Sequence, residues 1–160
     1  MKKKVKLKEL VISLAIPLAV GALSALLTKD GMERFETLLK PPLSPPGWLF
    51  PIVWTALFIL MGIACYKVWT SGASSIRRER ALTLYGIQLA MNFMWSIIFF
   101  TMRMYLPAFI WLLVMLSFIV AAAVLFRYID KKAGNLMIPY IVWCCYAAYL
   151  NFGVYLLNGH

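Results

Sequence analysis

The chain has 160 residues, 63% of them hydrophobic and 14% charged, with a formal net charge of +10. Soluble domains average about 45–50% apolar and about 25% charged residues, so this composition excludes an ordinary soluble domain. Nor does the positive charge indicate a nucleic-acid partner, because it is spread over the ends of apolar runs instead of forming one basic face.

Those runs cover residues 10–27, 47–66, 81–102, 104–126 and 136–157. Each is close to the roughly 20 residues with which an α-helix crosses about 30 Å of hydrocarbon. None shows the alternation of a transmembrane β-strand. The pattern predicts an all-α polytopic membrane protein: a five transmembrane helix bundle forming one membrane domain over residues 1–160. Its spans are expected at about 9–27, 47–68, 80–102, 104–128 and 135–157.

The first span begins among lysines and carries Ala22-Leu23-Ser24-Ala25 near its end, like a signal peptide. It is longer than the roughly 7–15 apolar residues of a signal core, which predicts a retained span. Pro17, Gly21 and Ala25 fall at i, i+4 and i+8 and make a small-residue stripe that admits a neighbouring helix or a ligand. In the connection that follows, Gly31–Glu36 reads as a short amphipathic helix. Then comes 40-KPPLSPPGWLFPIVW-54, with five prolines and two tryptophans. Pro41, Pro42, Pro45 and Pro46 predict a stiff polyproline-like lip at the membrane surface. Pro51 is expected in the first turn of the second span, where a missing N–H costs least.

The second span presents Phe50, Trp54, Phe58 and Met61 on one face. A Ser/Gly turn over 70–75 and the Arg77–Arg80 cluster lead into the third span, which aligns Gln88, Asn92, Trp95 and Phe99. Arg103 and a few neighbours separate this span from the fourth, so the two should form a tight hairpin. Asp130–Asn135 is the last turn, and the fifth span aligns Tyr140, Trp143, Ala147 and Asn151. No internal repeat suggests an inverted-repeat transporter.

Polar side chains in hydrocarbon need a partner, a cavity or a ligand. Helix packing through Gln/Asn hydrogen bonds would account for these stripes. So would an aromatic-walled pocket with a few convergent polar groups, suited to a flat hydrophobic ligand. Catalytic groups are scarce. The carboxylates Glu9, Asp30, Glu33, Glu36, Glu79 and Asp130 sit at or beyond the span ends, and the single histidine is His160. No Ser-His-Asp or zinc constellation can be assembled, so no metal site is expected. Cys65, Cys144 and Cys145 lie within spans and read as small buried hydrophobes.

Basic residues divide 12 to 4: positions 2, 3, 4, 6, 8, 67, 77, 78, 80, 127, 131 and 132, against Lys29, Arg34, Lys40 and Arg103. Positively charged loops stay cytoplasmic, which predicts the N-terminus inside and the C-terminus outside. With no convincing transit peptide, a bacterial cytoplasmic membrane is the expected location.

The stretches 40-KPPLSPPGWLFPIVW-54, 88-QLAMNFMWSIIFF-100 and 139-PYIVWCCYAAYLN-151 resemble the tryptophan-rich sensory protein / translocator protein family, also known from peripheral benzodiazepine receptors. The resemblance covers essentially the whole chain. It implies a membrane receptor or sensor, usually a homodimer, that binds porphyrins and related tetrapyrroles for sequestration, sensing or movement. No cofactor is implied; protoporphyrin or haem would be a ligand. The family pocket maps onto Ala25, Phe50, Trp54, Asn92, Trp95, Trp143, Ala147, Leu150 and Asn151, to which the stripes add Phe58 and Gln88. Alternative readings are light-dependent oxidative porphyrin degradation, in which Trp54 and Trp143 would participate, and a structural dimeric scaffold. Gly86 and Ala90 form a small-xxx-small pair for such a dimer. The chain departs from the family at Arg34-Phe35, where many members have Trp-Tyr, and at Leu43, where Trp is frequent. The animal sterol pattern is missing its base after Tyr155; Leu125, Tyr128 and Lys131 fit a similar string, and no dedicated sterol function is expected.

Overall fold

The computed structural model describes residues 5–159. Lys2, Lys3 and Lys4 of the basic N-terminus and His160 lie outside the described residues. Five helices are long and apolar enough to cross a membrane, and no strand occurs among the described residues. The long helices are α1 (Leu7–Leu27), α3 (Leu49–Trp69), α4 (Ser75–Ser96), α5 (Tyr105–Ile129) and α7 (Ile138–Asn158); α2 (Lys29–Phe35) and α6 (Lys131–Leu136) are short.

Helix boundaries follow local chemistry. Pro51 occupies the first turn of α3, where no intrahelical bond is lost. Asp130 caps α6 by accepting from the Ala133 N–H at 2.9 Å. Pro139 opens α7, and Gly159 closes it in a left-handed conformation at φ 74°. The third span begins earlier than the apolar run, at Ser75, because its first turns lie in the polar Arg77–Arg80 segment. A helix satisfies its own backbone and can continue beyond the hydrocarbon.

The third span also ends differently from the regular helix expected through residue 102. It widens into a π-turn at Ile97–Thr101, where the Met102 N–H donates to the Ile97 carbonyl five residues back at 2.9 Å. Arg103, at φ 55°, ends the segment and turns the chain into α5.

Packing is closest where side chains are smallest. A Cβ on Gly62 of α3 would strike the Ser13 carbonyl of α1, and one on Gly21 of α1 would strike the Phe58 ring of α3. α1 therefore packs mainly on α3, α4 on α5, and α5 on α7. The core runs through Met61, Val68, Ala108, Met115, Ile119, Phe126 and Tyr140, all fully buried. Cys65 and Cys144 join it, whereas Cys145 is exposed on the outer side of α7. That position belongs to the face opposite Tyr140 and Trp143, so helical phase and not residue type sets its exposure.

The proline segment is shorter and more sharply bent than a continuous polyproline lip. Leu43 adopts φ 66° and reverses the chain between the two proline pairs. The segment is strapped across the end of α7. Tyr149 donates to the Pro42 carbonyl at 2.8 Å and Tyr146 to the Leu43 carbonyl at 2.5 Å. The Asn158 carboxamide both accepts from the Leu39 N–H at 3.2 Å and donates to the Leu39 carbonyl at 2.9 Å. At the opposite end of the bundle, Lys67 approaches Asp130 at 4.0 Å.

Candidate functional site

A cavity of about 510 Å³ lies in the half of the bundle nearest the proline strap. Small-molecule sites typically measure about 300–1,000 Å³. Each of α1, α3, α4 and α7 contributes one helical stripe to its wall, and α2 closes over its end. Ala25, Phe50, Trp54, Phe58, Asn92, Trp95, Trp143, Ala147, Leu150 and Asn151 all line it. Gln88 does not. One turn from Asn92 towards the basic end of α4, it is completely buried beneath the cavity. Its helical face is shared with Asn92, but its depth is not.

The walls are aromatic. Trp54 stacks on Phe58 at 5.6 Å between centroids and, behind the wall, meets the fully buried Tyr140 edge-on at 6.1 Å. Phe50 meets Trp143 at 6.0 Å. On the other side Trp95 stacks on Phe99 at 5.3 Å. The π-turn explains why the consecutive residues Phe99 and Phe100 both reach the cavity: the wider turn changes their angular spacing.

The short amphipathic helix expected over Gly31–Glu36 is present as α2, but none of its residues was expected at the site. Met32, Phe35 and Glu36 of the α2 segment line the cavity, at the i, i+3, i+4 spacing that marks an amphipathic face. Phe35 packs against Phe50, Phe99 and Phe100 at centroid distances of 6.4, 5.6 and 5.6 Å. Lys40 Nζ lies 5.0 Å from the Phe35 ring centre and 3.3 Å from Glu36 Oε2. Gly47 gives room to the Glu36 carboxylate, which a Cβ there would strike. The exposed lining residues Ala22, Ala25, Pro51 and Thr55 show that the cavity is open on the side where α1 faces the start of α3.

Polar groups at the site fall into two classes. Asn151 is paired at both ends: its Oδ1 accepts from Trp95 Nε1 at 3.1 Å, and its Nδ2 donates to the Tyr105 carbonyl at 2.7 Å. It braces α4 and α5 against α7. By contrast, the Ser24 hydroxyl and Trp143 Nε1 are buried with no hydrogen-bond partner among the described residues. Buried polar groups are normally paired, and both of these residues belong to the cavity wall. The arrangement is apolar and aromatic, with a few unspent hydrogen-bonding groups and one carboxylate at the rim. Its aromatic faces and volume would accommodate a largely flat, apolar molecule, and among the described residues no acid–base pair lines it.

Residues 13–157 match the TspO/MBR family. The chain belongs to that family. It is 38% identical to "Tryptophan-rich protein TspO" of Chlorobaculum tepidum, over 93% of this chain and 95% of that protein. Identity to "Tryptophan-rich protein TspO" of Archaeoglobus fulgidus is 34%, over 94% and 97%. "Translocator protein" of Ovis aries is 35% identical, over 77% of this chain and 73% of that protein. Membership and the five apolar helices together make this TspO/MBR chain an integral membrane protein.

Proposed function

We propose that this protein is a membrane receptor or sensor that binds porphyrins and related tetrapyrroles in the cavity beneath the α2 lid. The observation that carries the reading is an aromatic-walled cavity in which Trp143 Nε1 and the Ser24 hydroxyl are left unpaired. A tetrapyrrole offers large π-faces to Trp54, Phe58 and Trp95, and its edge oxygens accept from the unpaired donors. The relatives named tryptophan-rich sensory and translocator proteins support the same reading. The protein works as a homodimer in a bacterial cytoplasmic membrane, with its basic end and N-terminus inside.

The test is a titration of the purified protein with protoporphyrin IX and haem, followed by Trp fluorescence and porphyrin absorbance in light and in dark. Saturable quenching is expected, weakened at least tenfold in the double variant Trp54→Phe/Trp143→Phe. Unchanged affinity in that variant would sink the site assignment. Porphyrin loss in light that depends on the protein would point to oxidative degradation instead of receptor function.

A further inference from the structure

Gln88 is the polar side chain at this site that touches no cavity, yet it is completely buried and hydrogen-bonded. Its neighbours fix the direction of every bond between it and the cavity. Met61 Sδ, a thioether, can only accept, and it lies 3.8 Å from Gln88 Nε2. The amide end of Gln88 is therefore turned to the sulfur, because the reverse orientation would set a carbonyl oxygen against an atom with no hydrogen to give. That leaves Gln88 Oε1 for Tyr140, whose hydroxyl donates to it at 2.9 Å. Tyr140 has a single proton. With it committed to Gln88, its oxygen must accept, and it does so from Asn92 Nδ2 at 3.1 Å.

The order thus runs from Met61 through Gln88 and Tyr140 to Asn92, and it ends at the cavity wall. Asn92 has turned its NH₂ group to the protein, and its Oδ1 accepts from no protein group among the described residues. We infer that Gln88 is a specificity-determining positioning residue: through Tyr140 it engages one N–H of Asn92 and leaves Asn92 Oδ1 open to accept from the ligand. The inference rests on the tetrapyrrole reading above and deepens it. A ligand matched to this wall brings an N–H or O–H donor for Asn92 and an acceptor for Trp143 Nε1. A lactam carries both. The rim of a closed porphyrin macrocycle bears only C–H groups and ionised carboxylates, whereas the ends of an open-chain tetrapyrrole are lactams.

The test uses three probes on the purified full chain: protoporphyrin IX, biliverdin, and the biliverdin lactim methyl ether, in which the lactam N–H donors are gone. The wild type should bind biliverdin about tenfold or more tightly than the lactim ether, as expected when one buried acceptor is left unpaired. In Gln88→Leu the Tyr140 proton has lost its acceptor and turns to Asn92 Oδ1, which presents NH₂ to the ligand. The preference should then fall to within about twofold or invert, while protoporphyrin affinity is kept. Tyr140→Phe, which frees Asn92 while leaving the Gln88 side chain in place with its Oε1 unpaired, should lose the preference in the same way. Retained protoporphyrin quenching shows that each variant is folded, and a merely structural role for Gln88 would move all three affinities together. An unchanged biliverdin-to-ether ratio in both variants overturns the inference and leaves the receptor reading standing. Binding of protoporphyrin with no binding of biliverdin does the same. A wild type that binds none of the three probes overturns both.

Discussion

Trp54 and Trp143 meet edge-on at the cavity wall, with ring centroids 6.5 Å apart and planes at 89°. α3 and α7 thus touch through indole rings, and the Trp143 N–H remains buried and unpaired. Trp143→Phe costs the ligand-free protein no hydrogen bond, but it shortens the ring packed on Phe50, Trp54 and Tyr146, so thermal unfolding in detergent should show a loss of only about 1 kcal/mol. Protoporphyrin affinity should fall by about tenfold, the value of one lost hydrogen bond. A fluorescence titration beside a melting curve separates the two effects. A large loss of stability with unchanged affinity would make Trp143 a packing residue.

The opposite behaviour is expected at Asn151. Its carboxamide joins Trp95 Nε1 to the Tyr105 carbonyl, so truncation strands a buried donor and a buried acceptor together. Asn151→Ala should destabilise the protein by about 2–4 kcal/mol, measurable as a lower melting temperature before any ligand is added. Trp95→Phe removes the donor together with part of a buried ring and should cost about 2–3 kcal/mol.

Phe35 holds the lid. Its ring touches Phe50 of α3 and both Phe99 and Phe100 of the π-turn, and aromatic pairs contribute about 0.5–1.5 kcal/mol each beyond their buried area. Phe35→Ala should accelerate tetrapyrrole dissociation by an order of magnitude or more, with a smaller change in association rate. Stopped-flow fluorescence reads both rates, and an unaltered dissociation rate would remove α2 as a lid.

How much of this was legible in the sequence depends on the range of the interactions concerned. The spans and stripes were, because hydropathy and helical period are local properties of the chain: Phe50, Trp54 and Phe58 fall on one face at any depth. Depth itself is not local. Gln88 and Asn92 look equivalent by period, and only packing against Met61 and Tyr140 takes Gln88 below the cavity. Phe100 was hidden for another reason. A regular helix would turn it away from Phe99, and the π-turn that brings both to the cavity has no periodic signature. Phe35 could have been found from the 32, 35, 36 spacing.

Leu43 occupies the left-handed region at φ 66° and is 86% exposed. A branched side chain there costs roughly 1–2 kcal/mol, which Asn tolerates better. Leu43→Asn should raise stability by about 0.5–1 kcal/mol. The bond from Tyr146 to the Leu43 carbonyl involves only backbone at that position and should survive. A melting curve checks the gain, and a loss would mean that the exposed leucine makes a contact with lipid or a second chain.

Gly86 offers the cleanest separation of association from folding. A Cβ built on it meets nothing within 4 Å, and Ala90, one turn on, is also exposed. A bulky residue at 86 therefore disturbs no contact within one chain, whereas a small-xxx-small interface depends on close backbone approach. If the proposed homodimer uses this face, Gly86→Leu should halve the protein mass in detergent, read by light scattering corrected for bound detergent. Thermal stability of the monomer should remain within about 0.5 kcal/mol of that expected for a surface substitution. An unchanged dimer mass would move the interface to another face, for which the exposed Ile110, Leu113 and Val114 of α5 supply the next apolar surface.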